Sequence, residues 1–156
     1  MITLRALILS KPGYVDASDP TDAAVDTFLN ETVTIKTPIT GQDLLTWSAD
    51  QVIANKLDNI IREQENAKDA GTALPHTNGV YNDAKTLWTA INSGGELALD
   101  RDELRTMVNG LVGNGISEPN KQALFGMSDV SVLRWETSEA NSKPSIQEIQ
   151  NARNNL

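Results

Sequence analysis

Three groups of residues in this chain have types and spacings that could do chemistry: one histidine, short acidic clusters and a run of glycines. His76 stands beside Pro75 in a polar stretch. With no carboxylate pattern near it in sequence, it reads as a solvated side chain. A single imidazole also leaves no material for two-His metal sites or histidine triads. Cysteine is absent, which rules out disulfides, thiolate nucleophiles and Cys-based zinc sites. A serine–lysine nucleophile would need a lysine buried near a serine, and no motif marks such a pair.

Two carboxylates are enough for glycoside hydrolysis, so "DRDE" has to be weighed. Asp100, Asp102 and Glu103 fall at the start of a helical pattern, where the helix dipole favours negative charge. That structural role is the simpler reading. An EF-hand fails on spacing, having no glycine at the sixth position and no glutamate at the twelfth. Glu63 and Glu65 lie two apart on a helix and face different directions. A cell-wall hydrolase with two facing carboxylates therefore ranks last among the functional readings.

The stretch "NGLVGNGISE", Asn109 to Glu118, places Gly110, Gly113 and Gly115 just after an apolar helical pattern. Glycine loops at helix starts cradle phosphates because their N–H groups approach the anion closely. Here the glycine order is the reverse of the dinucleotide fingerprint. No Lys-Ser or Lys-Thr follows, and a helix rather than a strand precedes. A joint between helices fits better: Gly113 or Gly115 takes positive φ, and Ser117 caps the next helix. DNA-binding proteins use such joints, so a helix-turn-helix regulatory or packaging protein is the second reading. Ser117 to Phe125 offers it few donors, namely Asn120, Lys121 and Gln122.

No catalytic residue, cofactor or metal ligand is thus assigned, and an enzyme is not expected. The candidates that remain are interface residues: Val33 and Ile35 on an alternating segment, and Trp135 among polar neighbours. An exposed tryptophan is a candidate anchor for a partner. Trp47, Trp88 and Trp135 are too dispersed to form a stacking platform.

The elements that must position these residues are mostly helical. The 156 residues are 39% hydrophobic but only 4% aromatic, so the core must come from Leu, Ile, Val and Ala, which suits packed helices. Net charge is −8, with a sequence pI near 4.5. A nucleic-acid module needs a basic face, and the densest basic stretch, Arg101 to Arg105, carries its own acids. Nucleic acid is disfavoured as a partner, as are a small-molecule ligand and a membrane. No apolar run approaches the length of a membrane span, and the N-terminal "MITLRALILSKPGY" reads as a helix, not a signal peptide.

Along the chain, Thr3 caps a helix from Leu4 to about Ser10. Asp19 as N-cap with Pro20 at the first position starts a second helix, striped by Ala24, Val25, Phe28 and Leu29. "TVTIKT", Thr32 to Thr37, alternates as a strand does. It reads as a short extended connector unless it pairs with a distant segment or with another chain. Thr40 caps the next helix, and Ser48 opens the longest one, to Ala70, striped by Val52, Ile53, Leu57, Ile60 and Ile61. Its polar end, "REQENAKDAG", projects into solvent or toward a partner. Further helices run from Asn82 to Ile91 (Trp88 inward), from Asp100 through Leu111, from Ser117 to about Phe125 and from Val130 to Ala140. "SIQE" at Ser145 to Glu148 is a capping box for the last helix. The expected fold is mainly α, a compact bundle of short helices around one longer helix, with at most one minor strand or short hairpin. With no linker in sight, residues 1–156 read as a single domain.

One resemblance spans most of these motifs. "LRTMVNGLVGNGISEPNKQALFGMSDVSVLRWE", followed by "IQEIQNAR", resembles the C-terminal half of small proteins encoded near tail genes in tailed-bacteriophage genomes. "TLRALILSKPGY", "DAAVDTFLNE" and "ITGQDLLTW" follow the same N-terminal order. Ser131 to Glu136 stands where that family has an "SRAE"-like element, so the match departs there. The resemblance implies a non-enzymatic virion structural or accessory protein of the tail, baseplate or fibre attachment. Its location would be the virion, its partners other virion proteins, and its form there a symmetric oligomer.

Overall fold

The structure, a computed structural model, describes residues 1–50 and 52–155. It is mainly α, with eight α-helices and one two-stranded antiparallel sheet among the described residues. Contacts divide the chain into two compact units, Met1–Ile35 with Ser131–Leu156, and Lys36–Val130. Unit 2 is therefore one continuous stretch, and unit 1 is made of the segments on either side of it.

In unit 1, Thr3 Oγ1 accepts the Ala6 N–H and opens α1 (Leu4–Leu9). The second helix, α2 (Asp22–Leu29), starts later than the sequence suggests. Its cap is Thr21, whose hydroxyl accepts the Ala24 N–H, and Pro20 lies outside the helix. Asp19 is occupied elsewhere: Asp16 Oδ1 takes its N–H together with the Ser18 N–H and hydroxyl in a local turn. The last helix, α8 (Ile146–Asn154), has the expected capping box, with Ser145 and Glu148 satisfying each other's N–H groups. Leu7, Ile8, Val25, Phe28, Leu29 and Ile149 form the core of this unit, with Leu4, Tyr14, Trp135 and Ala152 packed against it.

Three arginines fasten unit 1 where apolar area is short. Arg153, 4% exposed, reaches Asp22 and the carbonyls of Pro20 and Asp16, so α8 holds the turn before α2. Arg5 donates to the carbonyls of Ala152 and Arg153 at 2.7 and 2.9 Å, closing the end of α8. Arg134 lies 4.1 Å over the Phe28 ring, donates to the Phe28 carbonyl and pairs with Glu31 at 2.7 Å. Cations at helix C-termini satisfy orphan carbonyls and oppose the dipole.

In unit 2, Thr40 Oγ1 accepts the Asp43 N–H at 3.2 Å and starts α3 (Gly41–Asp50). Ser48 lies inside α3 and donates to the Leu45 carbonyl, so it does not open the long helix. The expected helix from Ser48 runs through Gln51, which lies outside the described residues. The long helix is α4 (Ile53–Ala70), and Val52 before it has φ 56° and is 52% exposed, off the expected stripe. Ile53, Leu57, Ile60 and Ile61 are buried as expected. They pack with Ala84, Leu87 and Ile91 of α5 (Asn78–Ser93) and with Met107 and Val108 of α6 (Asp102–Gly110). Trp88 is half-buried against the same core. The backbone of α3 approaches that of the α5 terminus closely, since a Cβ on Gly41 would stand 2.0 Å from the Gly94 carbonyl oxygen.

The joint after α6 is built as the glycines suggest. Gly113 and Gly115 both have positive φ, 81° and 98°, and Ser117 caps α7 (Glu118–Ser128) in a capping box with Asn120. Helix α7 runs past Phe125 to Ser128. Arg105 holds its end, donating to the Leu99 carbonyl, the Ser128 hydroxyl and Asp129.

Candidate docking surface

Val33 and Ile35 lie on β1 (Thr32–Lys36), and the segment expected to be a helix around Leu133 is instead a second strand, β2 (Asp129–Leu133). Two features turn this segment extended. The Ser128 carbonyl is taken by the Thr37 N–H at 2.8 Å and by the Thr37 hydroxyl at 3.0 Å, which stops the α7 ladder. Val130 and Val132 are β-branched and alternate, which suits a pleated surface. A four-residue 3-10 helix, Arg134–Thr137, follows the strand and carries Trp135.

The bonds closing the two ends of the sheet fix its register. Arg134 N–H donates to the Glu31 carbonyl at 2.9 Å, and Thr37 N–H to that of Ser128. Antiparallel alternation then sets Val33 opposite Val132 and Thr32 opposite Leu133. The N–H and C=O groups of Val33 and Ile35 point into the sheet. Those of Thr32, Thr34 and Lys36 point out of it, along the free edge of β1. The "TVTIKT" segment thus pairs within the chain and is not a bare connector.

The two faces of β1 differ. Val33, Ile35 and the neighbouring Val132 are half-buried and share one face, while Thr32, Thr34 and Lys36 are exposed on the other. None of the three apolar residues belongs to, or packs against, the buried core of either unit. The charges at the ends of β1 are already matched, Lys36 to Asp102 at 2.8 Å and Glu31 to Arg134 at 2.7 Å. That hydrogen bond from Lys36 holds the Asp102 carboxyl below its ordinary value.

The outer edge of β2 is different. Its outward Leu133 N–H is taken at 2.5 Å by Glu136 Oε2 from the 3-10 helix. Among the described residues no such acceptor meets the outward N–H groups of β1. Trp135, the third interface candidate, packs half-buried on the core of unit 1 and is not on the ribbon face. Its Nε1 is buried without a hydrogen-bond partner among the described residues.

His76 is half-buried and paired, not freely solvated: Nε2 lies 2.9 Å from Glu63 Oε2, and its side chain is 20% exposed. The missing signal was the chain reversal after Gly71, which brings the loop back onto α4. Gln64, read as part of a polar projection, is buried and accepts the His76 N–H at 3.0 Å. A cleft of about 510 Å³ opens beside it, yet Glu65 and Tyr81 on its wall already bond each other at 2.9 Å. Asp102 and Glu103 sit in the first turn of α6, consistent with a dipole role. Among the described residues no group of three or more His, Asp or Glu could hold a metal ion.

The donors on α7 are committed as well. Lys121 and Gln122 both reach Glu118, at 2.7 and 2.8 Å, and Asn120 is buried in the capping box. The Glu118 carboxyl is held low by Lys121 and then Gln122. A reading helix needs free donors for bases and phosphates, so this geometry weighs against a DNA contact through the joint. No helix is long and apolar enough to cross a membrane among the described residues. Comparison of the chain with protein-family models, with curated proteins and with solved structures finds no match.

Proposed function

We propose that the chain is a non-enzymatic bacteriophage virion structural or accessory protein, a tail, baseplate or fibre-attachment component that acts by docking onto other proteins. The observation carrying the docking half is the β1 edge. It combines an apolar row outside both cores, outward backbone N–H groups with no partner among the described residues, and end charges already neutralised. Edges of that kind accept an added strand, main-chain bonds giving affinity and alternate side chains giving specificity. The virion half is supported by the order of motifs shared with proteins encoded near phage tail genes.

Mass spectrometry of purified particles from the encoding phage tests the reading. Peptides from this chain are expected at a stoichiometry that fits a symmetric ring or a set of fibres. Particles free of those peptides sink it.

A further inference from the structure

We infer that β1 is the contact of a two-fold dimer, in which the free edge of one copy pairs antiparallel with the same edge of a second. The inference rests on the docking reading above and names its first partner, a second copy of this chain. The outward groups lie on Thr32, Thr34 and Lys36, so antiparallel pairing centred on Thr34 uses all of them. Thr34 then faces the second copy's Thr34, and Thr32 faces its Lys36.

The side chains agree with that register. On one face Val33 meets the second copy's Ile35, and Ile35 meets its Val33, giving a continuous branched row across the junction. On the other face threonines meet at the centre. The one charge on the edge, Lys36, stands opposite a neutral threonine and is already matched by Asp102 of its own chain. A shift of register that brings the two Lys36 side chains together loses pairs of outward groups and opposes like charges. The chain's net charge of −8 disfavours self-association in general, and the β1 edge is a place where that repulsion is locally absent.

Closure follows from the second edge. With the Leu133 N–H capped by Glu136 and the Asp129 N–H drawn back to the Phe125 carbonyl, only Ser131 stays outward on β2, too short a template to extend the sheet. One open edge per chain gives a closed isologous pair, not a fibre. A five-residue edge is small by the standard of stable interfaces, so the dimer is expected at micromolar to millimolar protein.

Sedimentation equilibrium of the full chain over that range should show mass rising from monomer to dimer and stopping there. Thr34→Pro removes only an outward N–H, which the β1–β2 ladder does not use, and should weaken dimerisation at least tenfold. If that variant does not fold, cysteine placement decides the question in a chain with no native thiol. Facing Cα atoms across such a pair lie about 5.5 Å apart, within disulfide reach. Thr34→Cys should therefore cross-link on mild oxidation at least tenfold faster than Thr32→Cys. A monomer at every concentration, or equal cross-linking of the two cysteines, overturns the dimer. Neither result bears on whether peptides are found in particles, so the two ideas fail separately.

Discussion

The two units solve the same problem with different materials. Unit 2 buries a large, mostly aliphatic core against the stripe of α4, from Ile39 and Leu44 through Leu57 and Leu87 to Leu124. Unit 1 has a smaller apolar cluster and is fastened by Arg5, Arg134 and Arg153, all directed at carbonyls of helix ends or turns. Hydrophobic burial is non-directional and involves no titratable charge. Buried arginine is directional, and leaving its partner alone is costly. The difference teaches that unit 1 should be the part hurt more by removing a buried cation, and unit 2 the part hurt more by lost volume.

The largest effect belongs to unit 2. Leu57→Ala empties a fully buried position on α4 and is expected to cost about 4 kcal/mol, measured by urea unfolding. Hydrogen exchange read along the chain should show the loss concentrated in Lys36–Val130. Arg153→Ala comes next. It strands Asp22 and two carbonyls, and roughly 3 kcal/mol is expected, the low end for a broken pair because Asp22 keeps some access to water. Protection should fall in α2 and α8 and hold in α4. Parallel loss in both units would break the comparison and favour the single cooperative domain that the sequence suggests.

Acid should act more gently. The Asp22 carboxyl is held below its ordinary value, first by the hydrogen bond from Gln150 at 2.7 Å and then by Arg153. Ser18 does the same for Asp16, and Ser145 for Glu148. A carboxyl lowered on folding contributes stability that is complete above its unfolded value, near 3.8 for aspartate, and is lost as pH falls through the folded one. Unit 1 should therefore hold its stability from neutral pH to about 4 and lose it below. In unit 2 the signs are mixed: Asp102 and Glu118 are held low as well, while burial raises the Asp83 carboxyl, so Asp83→Asn should leave that unit slightly more stable at neutral pH. Thermal unfolding between pH 3 and pH 7 checks both directions.

The smallest effect is the sharpest contrast. Trp47 in unit 2 donates from Nε1 to the Asn120 carbonyl at 3.0 Å, whereas the Trp135 Nε1 in unit 1 is buried with no partner among the described residues. Trp47→Phe should cost about 1 kcal/mol, the net worth of a hydrogen bond. Trp135→Phe removes an unmet donor and should be neutral or mildly stabilising. If both substitutions cost the same, the indole of Trp135 has a partner in solution.

Much of this was legible where the signal is local. Caps at Thr3, Thr40, Ser117 and Ser145, the stripe of α4 and the positive φ of Gly113 and Gly115 all follow from neighbours within one helical turn. The misreadings share a cause too. Thr21, not Asp19, caps α2 because Asp16 claims the turn and Arg153, far along the chain, holds it. β2 reads as helix because its extended form depends on Thr37 and on pairing with β1, which no window of sequence contains. His76 and Glu63 look unrelated until α4 and α5 are set side by side. The division into two units falls within β1 and β2 and not in a Gly- or Pro-rich linker, so no composition shift marks it. Of the interface candidates, Val33 and Ile35 stand out by alternation alone. The open edge beside them is visible only once β2 is known.

Unit 2 is entered through β1 and left through β2, and this sets an order of birth. A ribosome completes Lys36–Val130 before Ile149 or Arg153 has been made. At about 5–20 residues per second, the last segment trails by roughly one to five seconds. The interior of the sequence can settle while α1 and α2 wait with Leu7, Ile8, Val25 and Phe28 uncovered. What finishes first is the middle of the message; the outer segments then meet as β2 and Arg134 emerge, and α8 completes their core.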